Sequence, residues 1–343
     1  MASGKLLRQL FKGVAQGDEV SFRSAAEKII EEERDKHHHL LANDLQKILQ
    51  SGVPDLTGDA LRISSVRPAD IPKDVERSLP LLEVRVPCRF LSDVVLSDHI
   101  KSIAEEVILE QEREELLRTH GLKPKSKLLF CGPPGCGKTL TAEVIAGELQ
   151  LELVVIRFDA VVSSYLGETA ANLRKVFDFL ERGRYVALFD EFDGIAKERE
   201  DEAEHGELKR VVNSFLQMMD SYRGRSLMIA ATNHEGMLDR ALWRRFDEVF
   251  FFDRPNLEQI RRLLELKLRS SHYDLPIDSR EFIQLMEGFS HADIERVVIQ
   301  AIKQMILKGR KSVDKDIFEV ALKRETERKD VILKAGKNKK NRS

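Results

Sequence analysis

The sequence has little cysteine, almost no net charge and no long apolar run. Only Cys88, Cys131 and Cys136 stand among 343 residues. Their number is odd, and a crosslink between the last two would obstruct a glycine-rich loop, so reduced thiols are expected rather than a disulfide framework. Lysine and arginine number 56 against 58 acidic residues, a formal charge of −2, which gives no whole-chain attraction to nucleic acid or an anionic membrane. No apolar stretch approaches the roughly 20 residues needed to cross a bilayer. The segment Met1 to Phe11 also lacks the continuous apolar stretch of a signal peptide. A cytoplasmic protein without a membrane partner is expected. There is no internal repeat, and no His-Glu-x-x-His metalloprotease motif.

What is present describes a soluble globular chain of two or three domains, 42% hydrophobic and 33% charged. From residue 1 to 50, Leu6, Leu7, Leu10, Phe11 and Val14, then Ile29 and Ile30, then Leu40, Leu41, Leu45, Ile48 and Leu49 recur at helical spacing. This predicts a small helical bundle suited to recruiting a partner. Residues 51–89 hold Pro54, Gly58, Pro68, Pro72, Pro80 and Pro87 without a sustained period, so they read as a linker with one short strand at Leu82 to Val86. Over 90–254 short apolar strands alternate with amphipathic helices. The strands are Leu128 to Cys131, Leu153 to Phe158, Tyr185 to Asp190, Leu227 to Ala231 and Val249 to Asp253; the helices include Leu140 to Leu149 and Ala171 to Glu181. An α/β fold follows, a parallel sheet flanked by helices. Residues 255–330 carry only helical patterns, at Leu257 to Ser270, Ser279 to Glu287, Ala292 to Leu307 and Lys315 to Arg328, and form a separate small domain. The tail 331–343, basic from Lys334 onward, is expected to be disordered.

The chemistry concentrates in Gly132-Pro133-Pro134-Gly135-Cys136-Gly137-Lys138-Thr139, followed by Leu140, between a predicted strand and a predicted helix. That context is what a phosphate-binding P-loop requires. Glycines let backbone amides approach a phosphate, and the helix N-terminus adds a favourable dipole. Lys138 supplies a point charge for the β- and γ-phosphates of a nucleotide, and the Thr139 hydroxyl suits Mg2+. A hydrolase also needs a carboxylate for the metal and a base for water at the end of a neighbouring strand. Val186-Ala187-Leu188-Phe189-Asp190-Glu191 offers Asp190 for the first and Glu191 for the second. His37-His38-His39 does not make a metal site, because consecutive helical residues point about 100° apart.

Together these motifs resemble the AAA+ ATPases, and within them the AAA subfamily of unfolding and disassembling motors, over roughly Phe90 to Arg328. The resemblance implies ATP and Mg2+ as ligands, a large α/β ATPase domain at 90–254 and a helical lid at 255–330. Ile229-Ala230-Ala231-Thr232-Asn233 is similar to the sensor-1 strand, which makes Asn233 a residue that positions water; a strand-end turn is the plain alternative. Leu238 to Asp247 resembles the arginine-finger segment, but Arg244 and Arg245 adjoin where the family separates its two arginines by a Pro-Gly insertion. Either arginine is a candidate to reach a neighbouring subunit's site, and the other a surface ion pair. That implies a homo-oligomeric ring, expected as a hexamer.

Ser164-Tyr165-Leu166-Gly167-Glu168 occupies the place of the first pore loop, where Tyr165, Leu166 and Gly167 would grip a polypeptide; core packing of Tyr165 is the alternative. Gly288-Phe289-Ser290-His291-Ala292-Asp293-Ile294 resembles the start of the lid helix that contacts adenosine, with His291 where glycine is usual and Ala292 a base contact. Asp93-Val94-Val95 matches the segment lining the other side of the base. The expected function is ATP hydrolysis coupled to remodelling a protein substrate, with any degradation left to a separate protease subunit. An ATP-gated scaffold that controls a partner without threading is the second reading, and a DNA-directed loader a third, disfavoured by the absence of a basic stripe. The short chain is similar in texture to bacterial single-ring AAA proteins, some paired with a subtilisin-like protease in defence or plasmid-maintenance modules.

Overall fold

The computed structural model describes residues 24, 26–28, 30, 66, 70–74, 78–161, 166–191, 214–233, 243–269 and 271–340; the side chains of 159, 166, 167 and 332–340 fall outside that description. The chain divides into two compact units, Met1–Ile63 and Ser64–Ser343. In the first, residues 24, 26–28 and 30 are helical and Ile30 is buried. The rest of the expected bundle, His37 to His39 included, lies outside the described residues.

The second unit is built on a six-stranded sheet in the order β1-β3-β4-β5-β2-β6, with β1 Leu82–Arg85, β2 Lys127–Cys131, β3 Leu153–Ile156, β4 Val186–Phe189, β5 Leu227–Thr232 and β6 Glu248–Phe251. All pairings are parallel except β1 with β3, which runs antiparallel from Leu82 opposite Ile156 to Arg85 opposite Leu153. Every residue of β4 and β5 is buried, as continuous apolar runs covered on both faces must be. Period-2 alternation splits each strand between two cores. Leu129, Cys131, Ala187, Phe189, Met228 and Ala230 face one. Leu128, Phe130, Val186, Leu188, Leu227, Ile229 and Ala231 face the other.

Helices α1 (Asp98–Glu112) and α3 (Lys138–Glu148) supply the second core through Ile100, Ala104, Val107, Ala142, Ile145 and Ala146; the short α2 (Glu114–Thr119) follows α1. The first core takes α4 (Phe158–Val161), α5 (Leu166–Glu181) and helical residues 214–221, with Leu173, Val176, Phe177, Leu180, Phe215 and Met219 buried. Ser97 caps α1 by accepting from the Ile100 amide at 3.3 Å.

Beyond the sheet, α6 (Leu257–Leu268), α7 (Arg280–Gln284), α8 (His291–Leu307) and α9 (Lys315–Lys340) enclose a third, purely helical core. The apolar spacing is plain in Ile260, Leu263, Leu264 and Leu268 of α6 and in Ile294, Val297, Val298 and Ala301 of α8. Both helices start with capping boxes, Asn256 with Gln259 and Ser290 with Asp293. Across α8 and α9, Arg296 pairs with the buried Glu325 at 2.8 Å, and the Lys329 ammonium sits 3.9 Å from the Phe289 ring centroid.

Three expectations need correction. The unit boundary at Ile63 falls inside the stretch 51–89 expected to be a linker. Its C-terminal part joins the fold: Leu81 and Leu82 are fully buried and β1 closes one sheet edge, a position that tolerates the adjacent prolines. The segment from Lys334, expected as a disordered tail, continues α9 to Lys340, since the run of lysine, alanine and leucine after Arg328 contains good helix formers and no proline. Finally, Leu166 and Gly167 open α5 instead of lying in a loop; Tyr165 is outside the described residues.

Candidate active site

The C-terminal ends of three adjacent strands converge. The loop after β2 is Gly132 to Gly137, β4 leads into Asp190 and Glu191, and β5 ends at Thr232 before Asn233. Ligand crevices of open α/β sheets form at such carboxyl edges. Three loop glycines adopt positive φ: Gly132 at 138°, Gly135 at 76° and Gly137 at 100°. Gly137 is also the residue capping α3, so the loop delivers its backbone directly onto a helix N-terminus.

A side chain at Gly132 meets two obstacles at once. Its φ is unfavourable to L-residues, and a Cβ would lie 2.0 Å from the Phe252 carbonyl oxygen, which is backbone and cannot swing away. Gly132→Ala is expected to destabilise the unit by about 2–4 kcal/mol, read as a lower urea midpoint at unchanged slope.

Lys138 is buried at 7% exposure, and its ammonium donates to the Gly132 carbonyl at 2.6 Å, the Pro133 carbonyl at 3.0 Å and Asn233 Oδ1 at 2.7 Å. A buried ammonium can be kept only with such a set of acceptors. The contact with Asn233 joins the P-loop to the end of β5. Next to it, the Thr139 hydroxyl donates to Asp190 Oδ2 at 2.6 Å, while Asp190 Oδ1 accepts the Glu191 amide at 2.9 Å. Glu191 itself takes a φ of 53°, one of three non-glycine residues with positive φ among the described residues. Backbone strain of this kind collects where a side chain is being aimed. The Glu191 carboxylate is exposed, lines the cleft and has no hydrogen-bond partner among the described residues.

The cleft has a volume of about 380 Å³ and is closed from the far side by the helical core. Its walls include Val94 and Val95, which precede α1, and Leu263, Lys267, His291, Ala292 and Glu295 of α6 and α8; Val95 also packs against the helical core. Leu140 also lines it. The Ala292 amide donates to the Gly135 carbonyl at 3.0 Å, tying the start of α8 to the P-loop. Cys136 is buried beside them; burial pushes its thiol pKa up, and all three cysteines are free thiols.

Residues 128–254 match the family model described as "ATPase family associated with various cellular activities (AAA)". An uncharacterized AAA family ATPase of Sinorhizobium fredii is 43% identical over 329 residues, 96% of this chain and 97% of the relative. The chain belongs to the AAA family of ATPases. Further relatives are a proteasome-activating nucleotidase of Aeropyrum pernix, 31% identical over 67% of this chain and 58% of the relative, and a putative 26S proteasome regulatory subunit homolog of Methanocaldococcus jannaschii, 32% identical over 59% and 55%.

This AAA ATPase binds nucleotide and hydrolyses ATP. No helix among its described residues is long and apolar enough to cross a membrane. The two adjacent arginines, equivalent in sequence, differ in surroundings. Arg245 donates to Asp220 Oδ2 at 2.8 Å, whereas Arg244 is exposed without an ion-pair partner among the described residues. On either side of the pair, Trp243 stacks on Phe251 with centroids 5.8 Å apart and Phe246 is buried, so the segment is anchored on both sides of Arg244. Neither arginine lines the cleft of its own subunit.

Sequence reasoning missed Arg89, Leu96, Leu263, Lys267 and Glu295 as cleft residues, whereas Asp93 lies in the segment expected to line the base. A signal existed for four wall positions: Leu263 and Lys267 on α6, and His291 and Glu295 on α8, are each four apart and therefore share a helix face. Arg89 and Leu96 have no local pattern that marks them.

Proposed function

We propose that this ATPase is a cytoplasmic ring motor, most simply a hexamer, that spends ATP on remodelling a protein client. The observation that carries the reading is Arg244: an exposed cation on a firmly anchored segment that is not part of its own subunit's cleft. An arginine that serves phosphoryl transfer from there must serve the next subunit. Two relatives have names that refer to the proteasome, which supports a protein client and leaves proteolysis to a separate subunit.

Within the site, the P-loop and Lys138 bind the phosphates, Val94, Val95, Leu140 and Ala292 enclose the base, and Asn233 orients water that Glu191 polarises. The Thr139 hydroxyl and Asp190 carboxylate, already side by side, form a hard-oxygen set suited to Mg2+, which would neutralise charge on the phosphates when bound. Tyr165 remains the proposed client-gripping residue.

Mixing experiments test the shared site. Arg244→Ala is expected to lower turnover about 10³-fold, while Arg245→Ala removes a surface ion pair with Asp220 worth at most about 1 kcal/mol and mainly affects stability. Arg244→Ala and Glu191→Gln subunits, each inactive alone, should regain activity when mixed, because some interfaces then pair an intact Glu191 with an intact Arg244. Mixtures that stay inactive, or a protein that remains monomeric in ATP, would sink the ring reading.

A further inference from the structure

His291, the first residue of α8, lines the cleft, yet neither of its ring nitrogens has a hydrogen-bond partner among the described residues although both are buried. Buried polar atoms are nearly always satisfied, so an orphaned pair on a ring that lines a ligand cleft calls for a partner supplied by the ligand. The backbone that carries the ring is also held in place. The neighbouring Ala292 amide is held by the Gly135 carbonyl, and Ser290 caps the helix by accepting from the Asp293 amide at 3.2 Å.

The chemistry of the ring selects which part of a nucleotide it suits. Burial lowers its pKa to about 4, so near neutral pH it is an uncharged imidazole with one donor and one acceptor. Such a ring is poorly matched to phosphates, which already have the Lys138 end of the cleft, and well matched to the neutral edge of a base or a sugar hydroxyl. Val94, Val95 and Leu263 provide the apolar surroundings a nucleoside needs in the same cleft.

We propose that His291 hydrogen-bonds the nucleoside portion of the bound nucleotide, making it a determinant of affinity contributed by the helical lid. This rests on the ATPase assignment but not on ring assembly or a protein client.

The test measures calorimetric binding of ADP and of inorganic pyrophosphate to the full chain, comparing wild type with His291→Leu, His291→Ala and His291→Gln. Leu approximates the bulk without hydrogen bonding, and Gln retains a donor and an acceptor. The expected result is about a tenfold loss of ADP affinity in Leu and Ala, recovery to within about threefold in Gln, and unchanged pyrophosphate binding in all. Nucleotide-free thermal unfolding should not fall in His291→Leu, since no protein hydrogen bond is lost; a purely structural histidine would give a drop. ADP affinity equal to wild type in both Leu and Ala would overturn the proposal, as would equal losses for ADP and pyrophosphate. If Leu fails to fold, Ala and Gln still decide it. A wild-type chain that binds neither ligand would overturn the nucleotide site itself, and this role with it.

Discussion

Glu191→Gln is expected to lower ATP turnover by about 10²–10⁴-fold, the range associated with a positioned general base, while ATP still binds. The substitution exchanges one carboxylate oxygen for an amide nitrogen at an exposed position whose carboxylate holds nothing else together among the described residues. What fixes its place is backbone: the φ of 53° and the amide donated to Asp190 Oδ1. Glutamine can retain both. Stability and affinity should therefore survive while chemistry fails, a separation that a residue of the fold would not give. Phosphate release and calorimetric ATP affinity, measured on the same preparation, check it. Turnover within threefold of wild type would remove Glu191 from the role of base.

Lys138→Ala has the opposite signature, with binding itself lost. The ammonium is aimed by three acceptors, two of them P-loop carbonyls. Losing two charge-assisted hydrogen bonds to phosphate, at roughly 1.5 kcal/mol each, amounts to about a 100-fold loss of ATP affinity. The folded state suffers as well, because the Gly132 carbonyl and Asn233 Oδ1 lose their donor in a buried setting, at a cost of about 1–3 kcal/mol. Affinity measured in the Glu191→Gln background avoids turnover during the titration. An ATP affinity within threefold of that background would contradict the phosphate role, whatever happened to stability.

The parts of this molecule that could be read from sequence are those governed by local pattern. Strands β2 to β6 appear as apolar runs because a parallel sheet buries both faces, and the P-loop declares itself through the glycines its dihedrals demand. Capping boxes at Asn256 and Ser290 mark helix starts for the same local reason. What stayed hidden depends on partners distant in sequence. The pairing of β1 with β3 joins Leu82, inside a proline-rich stretch, to Ile156 far along the chain. Arg244 and Arg245 are indistinguishable until Asp220 is seen to engage only the second. The histidine at 291 was visible as a departure from the family, but not as a ring with two unsatisfied nitrogens. The extension of α9 to Lys340 shows the converse error, since weighting charge over helix propensity gave a tail where the backbone continues to coil.

The hydrogen bond from the Ala292 amide to the Gly135 carbonyl has a genetic consequence. Both atoms belong to the main chain, so alanine scanning leaves the bond untouched, and most codon changes at position 292 preserve its donor. Only proline there would delete it. The clasp between the P-loop and the helical core is thus inherited almost independently of the side chains around it.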